Sequence, residues 1–175
     1  PFRHRAVAVR MQRNPRPDRV VVVCHGNIFR SPYLAAILRP LLPDVEILSA
    51  GFIGPPRPVP DDGRAVALER HVDLSGHLSK LLNRDILRSA DLVIVMDARQ
   101  ARHLTVGLRF PDERVIIAGD LDPSLGEGRT IRDPWGKSRD VLASTFARLD
   151  RCAASLVEML PPGDGLHRGD RNPKS

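Results

Sequence analysis

The sequence has little cysteine, no paired metal-ligand spacing and no long apolar run. Its two cysteines, Cys24 and Cys152, lie far apart, which excludes a disulfide framework and a cysteine-rich metal site. The six histidines are scattered, so we expect no metal and no other cofactor. No apolar run is long enough to span a bilayer, and no secretory signal follows the arginine-rich start. We therefore expect no membrane span and a cytoplasmic protein.

The net charge of +6 would suit a nucleic-acid-binding protein, but the excess charge lies at the two ends. Residues 1–17 contain five arginines and no acidic residue, whereas residues 18–161 carry equal numbers of basic and acidic side chains. We interpret 1–17 as a basic arm that is partly disordered or not native, 18–161 as one domain, and 162–175 as a polar tail. Nucleic acid is not the expected partner, and an arm that binds it is the less favoured alternative.

Apolar, β-branched runs alternate with helical patterns along the chain. The runs predict strands at 19–24, 45–50, 91–96 and 114–118. The helical patterns lie at 31–42, 61–71, 83–88, 97–108 and 138–160. Such alternation is typical of a parallel sheet that is covered on both faces. The sequence therefore predicts a single three-layer α/β domain, with a central, four-stranded, mostly parallel sheet and helices on both faces.

The segment VVVCHGNIFRSP at 21–32 combines a buried strand, a loop and a helix start. At this position of a parallel sheet, backbone N–H groups converge on an anion. Gly26 and Asn27 tolerate the left-handed backbone that turns successive N–H groups inward. Arg30 can add a bidentate guanidinium contact, and Ser31 before Pro32 predicts a capped helix start. The segment is thus a candidate phosphate-binding loop.

Cys24 would lie at the base of this loop. There the inward amides and the helix dipole favour a thiolate, which can attack phosphorus and form a phosphocysteine. The alternative is a core cysteine that packs at the end of a strand. A phosphatase also needs an acid for the leaving oxygen, and two aspartates precede prolines, Asp122 and Asp133. The residues alone leave that choice open, since Asp-Pro pairs also mark turns.

CHGNIFRSP at 24–32, followed by DPWG at 133–136, resembles the low-molecular-weight protein-tyrosine-phosphatase family. SAG at 49–51, SGH at 75–77, VMD at 95–97 and GDLDP at 119–123 extend the resemblance from 19 to about 160. It implies that Cys24 is the nucleophile, that Arg30 stabilises the transition state and that Asp133 is the general acid. It also implies that phosphate is bound by His25, Gly26, Asn27, Ile28, Phe29, Arg30 and Ser31. The residues that would support this loop are Asn27, Ser31, Ser49 and His77.

The substrate walls depart most from the family pattern, and we expect Phe52 and Trp135 to form them. Arg57, in a proline-rich loop, is interpreted as a solvated surface residue rather than a substrate contact. Ile28 stands where phosphoarginine-specific relatives tend to have threonine, which favours phosphotyrosine. We expect the chain to hydrolyse phosphorylated proteins or small aryl phosphates, with inorganic phosphate, sulfate or vanadate as site ligands. The alternatives are a phosphatase for another group, such as phosphoarginine, and a phosphoprotein-binding module with little turnover.

Overall fold

A computed structural model describes residues 2–124 and 127–163 of the chain. Four strands form one sheet: β1 (Arg19–Cys24), β2 (Glu46–Gly51), β3 (Leu92–Val95) and β4 (Val115–Ile117). The spatial order is β2-β1-β3-β4, and every neighbouring pair is parallel. β1 lies between two partners and has five of its six residues buried, as its continuous apolar run predicts. The predicted sheet is confirmed.

Helices cover both faces of this sheet. They are α1 (Phe2–Arg13), α2 (Arg30–Leu41), α3 (Asp61–Glu69), α4 (Arg84–Ser89), α5 (Ala98–Arg102) and α6 (Arg139–Met159). Val20 and Val22 of β1 pack in the larger apolar core, which also contains buried residues of α2, α3 and α6. Val21 and Val23 point to the opposite face and pack in a smaller core with Leu87 of α4. This arrangement confirms the predicted three-layer α/β class.

The N-terminal residues form a packed helix, where the sequence indicates a partly disordered arm. Val7 and Met11 lie one turn apart on α1 and are only 8% and 5% exposed, because they pack into the larger core. Arg10 Nη2 donates a hydrogen bond of 2.9 Å to the Val115 carbonyl. Arg3, Arg5 and Arg13 are exposed, so the basic residues other than Arg10 lie on the outer face of an amphipathic helix. The predicted polar tail lies outside the described residues from position 164 onward.

The contact between α2 and α6 fixes the helix that carries the end of the candidate loop. The rings of Tyr33 on α2 and Phe146 on α6 stack with their centroids 3.9 Å apart. The Tyr33 hydroxyl donates a 2.7 Å hydrogen bond to Asp150, and Arg70 pairs with the same carboxylate.

Over the ranges 2–124 and 127–163, no helix combines the length and apolar character needed to cross a membrane.

Candidate active site

The loop after β1 curls around the sulfur of Cys24. β1 ends at Cys24 and α2 begins at Arg30, so five residues turn the chain between them. Asn27 has a φ of 53°, in the left-handed region that asparagine tolerates, and its backbone N–H donates to Cys24 Sγ at 3.3 Å. Gly26, also predicted to be left-handed, has no positive φ. We call residues 24–30 the cradle.

The side chain of Asn27 is fully buried and ties the cradle to β2. Its amide nitrogen donates to Ser31 Oγ at 2.8 Å and to Ser49 Oγ at 3.0 Å. Its amide oxygen accepts the backbone N–H of Lys80 at 2.9 Å. His77 Nε2 donates to the Asn27 carbonyl at 2.9 Å. The structure thus brings together all four predicted loop-supporting residues, and these bonds hold Asn27 in its unusual backbone conformation.

His77 makes its contact as a neutral imidazole. Burial lowers the pKa of His77 below its ordinary value of 6.5, although the hydrogen bond to the Asn27 carbonyl opposes this effect. The nearby charges of Arg39 and Lys80 lower the pKa further. At neutral pH the uncharged ring therefore donates to the cradle through its Nε2–H group.

Ser31 bonds the sulfur instead of capping the helix. α2 begins two residues earlier than the predicted cap at Ser31 implies, with Phe29 at the N-cap position and no capping side-chain bond there. Ser31 Oγ accepts from Asn27 Nδ2, and its own proton has two acceptors within reach, Cys24 Sγ at 3.0 Å and the Ala50 carbonyl at 3.3 Å. Two donors therefore face the sulfur, the Asn27 amide and the Ser31 hydroxyl. Such donors stabilise a thiolate, because they bond more strongly to the charged form.

Arg30 is buried at the other end of the cradle, with its side chain only 4% exposed. Nη1 donates to the Ile131 carbonyl at 2.9 Å, and Nη2 donates to Asp133 Oδ2 at 2.5 Å. Its Nε has no hydrogen-bond partner among the described residues. A buried unsatisfied donor costs about 1–3 kcal/mol, so an anion in the cradle would find an N–H group that is ready to bind it.

The two aspartates that precede prolines have very different surroundings. Asp133 is 43% exposed and lines the same crevice as Cys24. The side chain of Asp122 is only 1% exposed and pairs with Arg148 at 2.8 Å and Arg151 at 2.9 Å. Burial raises the pKa of Asp122, but hydrogen bonds led by Arg151 outweigh it and lower the pKa to about 2. Asp122 is therefore ionised and enclosed by two arginines, whereas Asp133 is the aspartate of the two that faces the crevice.

A family comparison agrees with this geometry. The family model described as low molecular weight phosphotyrosine protein phosphatase matches residues 19–162. The chain belongs to this family.

Individual relatives cover most of the chain. The low molecular weight protein-tyrosine-phosphatase Ptp of Acinetobacter johnsonii is 31% identical over 140 residues, which span 79% of this chain and 95% of Ptp. The structure of Vibrio vulnificus Wzb in complex with benzylphosphonate is 27% identical, with a TM-score of 0.71 and coverage of 82% of this chain and 99% of Wzb. The YwlE arginine phosphatase of Geobacillus stearothermophilus is also 27% identical, with a TM-score of 0.71 and coverage of 81% and 92%.

The crevice beside Cys24 has a volume of about 270 Å³ and extends from the cradle to two neighbouring loops. His25, Gly26, Ile28 and Phe29 of the cradle line it beside Cys24 and Arg30. Ile53, Arg57, Asp133 and Trp135 form the remaining walls. A larger hollow of about 700 Å³, between α4 and the turn before β4, contains none of these residues. The smaller crevice is the one that joins Cys24, Arg30 and Asp133.

Of the two predicted substrate walls, only Trp135 lines the crevice. Trp135 is 57% exposed, and its ring lies 6.1 Å from the ring of Phe29. Phe52 packs edge-on against His103, with a centroid distance of 5.2 Å, and contacts the smaller core. The next residue, Ile53, does line the crevice. Ile53 thus lies where the wall at Phe52 was expected, and Phe52 packs away from the crevice.

Gly51 also contributes to the site, although its place in the sequence alone indicates no function for it. It ends β2 and pairs in register with Cys24. A β-carbon at Gly51 would lie 2.9 Å from the Asn27 nitrogen and 2.9 Å from the Gly26 carbonyl carbon. Only a residue without a side chain lets β2 approach the cradle so closely. The glycine of the SAG sequence was the available signal.

Proposed function

We propose that this chain hydrolyses phosphotyrosine in proteins, and small aryl phosphates, through a phosphocysteine intermediate. The observation that supports the proposal is one crevice that joins Cys24, whose sulfur accepts two hydrogen bonds, with Arg30 and Asp133. The phosphate would be bound by backbone N–H groups of the cradle and by the guanidinium of Arg30. Inorganic phosphate, sulfate and vanadate fit the same donors.

In the first step the thiolate of Cys24 attacks phosphorus. A sulfur–phosphorus bond forms and the bond from phosphorus to the phenolic oxygen breaks. Asp133 gives its proton to that oxygen, so tyrosine leaves as a neutral phenol. The Asp133–Arg30 contact of the free site would yield to the phosphate, because a dianion is a stronger partner for the guanidinium than one carboxylate.

In the second step water attacks the phosphocysteine. The Asp133 carboxylate accepts a proton from this water, the sulfur–phosphorus bond breaks and inorganic phosphate leaves. The Ser31 hydroxyl, 3.0 Å from Cys24 Sγ, stabilises the departing thiolate by hydrogen bonding. Asp133 thus ends the cycle protonated and ready for the next substrate.

The crevice walls favour an aromatic leaving group. Ile28, Phe29 and Trp135 offer apolar surface at the mouth of the cradle, where a phenyl ring can pack. Vibrio vulnificus Wzb binds benzylphosphonate, which carries a phenyl ring and a phosphorus group, as phosphotyrosine does. This complex supports the same preference. The similarity to an arginine phosphatase keeps phosphoarginine as the comparison substrate.

The test compares the two cysteines. We expect Cys24→Ser to lower the kcat for p-nitrophenyl phosphate by more than about 10³-fold, because a serine hydroxyl is a weak nucleophile without a nearby base. Cys152→Ala is the matched control, since burial raises the pKa of the Cys152 thiol to about 12 and keeps it uncharged inside α6. We expect this control to retain wild-type kcat within about twofold.

The time course decides between an enzyme and a binding module. Wild type should release a burst of p-nitrophenol close to one equivalent of protein, as the phosphocysteine accumulates. Vanadate binding without any release of phenol would favour the phosphoprotein-binding alternative and contradict the proposal. Rates on matched phosphotyrosine, phosphoarginine and phosphoserine peptides then test the substrate class, and the highest kcat/KM is expected for phosphotyrosine.

A further inference from the structure

Arg57 carries a positive charge that no carboxylate neutralises in the described part of the chain. It lines the same crevice as Cys24, and no ion pair joins it to an aspartate or glutamate among those residues. Its Nε is buried and lacks a hydrogen-bond partner within the described ranges. Arg30, the other arginine of the crevice, already contacts Asp133. The crevice therefore holds one more cation than its own acids can pair.

The position of this guanidinium is fixed by the backbone and by Trp135. Arg57 stands between Pro56 and Pro58, whose rings restrict the chain. Its backbone N–H donates to Ser79 Oγ at 3.0 Å, and its carbonyl accepts the Ser79 N–H at 2.9 Å. The guanidinium carbon lies 5.4 Å from the centre of the Trp135 ring, within the range of a cation–π contact. The charge is thus held in place before any ligand arrives.

The guanidinium lies against Gly26 of the cradle, two residues after Cys24. A β-carbon at Gly26 would lie 3.0 Å from Arg57 Nη2, so the arginine passes directly over that glycine. On its other side it contacts Trp135, which is largely exposed. A group bound here would sit at the mouth of the crevice, next to the ring of the substrate and away from the phosphorus atom.

We propose that Arg57 is a specificity-determining residue that binds an acidic side chain flanking the phosphotyrosine of a protein substrate. This inference rests on the proposed function and names its substrate class more narrowly. A carboxylate matches the planar guanidinium through two parallel hydrogen bonds. The preference would be for a glutamate or aspartate beside the phosphotyrosine.

The experiment uses two phosphotyrosine peptides that differ only in a flanking glutamate or glutamine. For wild type we expect kcat/KM to be about tenfold higher with glutamate, mainly through KM and less so at high salt. In Arg57→Gln the ratio should fall to about one, whereas Arg57→Lys should keep part of it. Arg64→Gln is the control, because Arg64 pairs with Asp61 on the outside of α3 and does not line the crevice.

The outcomes separate this inference from the proposed function. Equal kcat/KM for both peptides in wild type would overturn the inference and leave the phosphatase intact. An Arg57→Gln variant that loses activity equally on both peptides would also overturn it, because Arg57 would then bind the phosphate itself. If no peptide is hydrolysed, the proposed function fails, and the Kd values of Cys24→Ser for the same two peptides still test Arg57. A Kd ratio near one would refute the carboxylate contact.

Discussion

Replacing each of the two aspartates that precede a proline by asparagine gives a sharp comparison, because both changes remove one carboxylate and keep its shape. Asp122 and Asp133 look alike in the sequence, but one is buried between arginines and the other faces the crevice. We expect Asp122→Asn to lower the free energy of unfolding with little effect on catalysis. We expect Asp133→Asn to lower kcat and to leave the free energy of unfolding almost unchanged.

The pKa of Asp122 sets the size of its effect. A fall from 3.8 to about 2 corresponds to about 2–3 kcal/mol of stability, at about 1.4 kcal/mol per pH unit. Because the pKa is lowered in the folded protein, this contribution is complete above pH 3.8 and is lost as the pH falls toward 2. Asp122→Asn should therefore be about 2–3 kcal/mol less stable than wild type at pH 7, with a smaller difference in acid.

For Asp133 the magnitude comes from proton transfer. General acid catalysis contributes about 10²–10⁴-fold, so Asp133→Asn should lower the kcat for phenyl phosphate by at least about 10²-fold. The loss on p-nitrophenyl phosphate should be about tenfold or less, since p-nitrophenolate leaves with little protonation. The unfolding free energy should change by less than about 1 kcal/mol, because the carboxylate is 43% exposed in its ion pair.

Steady-state kinetics with both aryl phosphates, together with urea unfolding of each variant, would measure these effects. The reasoning is refuted if Asp122→Asn shows the loss that depends on the leaving group while Asp133→Asn hydrolyses phenyl phosphate normally. It is also refuted if Asp122→Asn unfolds at the same urea concentration as wild type, with the same slope.

Two further predictions concern the support of the cradle. Since the pKa of His77 is lowered in the folded protein, wild type should lose stability as the pH falls below 6.5, and urea unfolding of His77→Gln should show a smaller loss over the same interval. Gly51→Ala should cost about 1–3 kcal/mol in urea unfolding and lower kcat/KM at least about tenfold, because its methyl group would push Asn27 and Gly26. The control Gly76→Ala, with no atom within 4 Å of the added carbon, should do neither.

Local sequence was enough to predict the sheet and the cradle. The β-branched run of β1 indicates a central strand, and residues 24–31 are contiguous, so their order nearly determines which groups face the sulfur. From its place before proline, Ser31 is predicted to cap the helix, whereas the family resemblance implies that its hydroxyl bonds the Cys24 sulfur. The structure has Ser31 Oγ at 3.0 Å from that sulfur and no side-chain cap on the helix.

Other features depend on contacts between distant parts of the chain. The burial of Val7 and Met11 could not be predicted from the arginine-rich sequence of α1, because it depends on packing against the larger core. Ile53 rather than Phe52 lines the crevice, because Phe52 packs against His103 and the smaller core, which lie far from it in the sequence. Arg57 and Trp135 are 78 residues apart and belong to two different loops. No local sequence pattern predicts their contact.

The bonds from Asn27 to Ser49 and to the Lys80 backbone have a consequence for the maturation of the protein. They can form only after β2 has paired with β1, because both partners belong to or follow β2 in the chain. Until then neither the Asn27 amide nor the Ser31 hydroxyl is held against the Cys24 sulfur, and the cradle has no fixed shape. The anion-binding loop and the finished sheet therefore form together, and neither precedes the other.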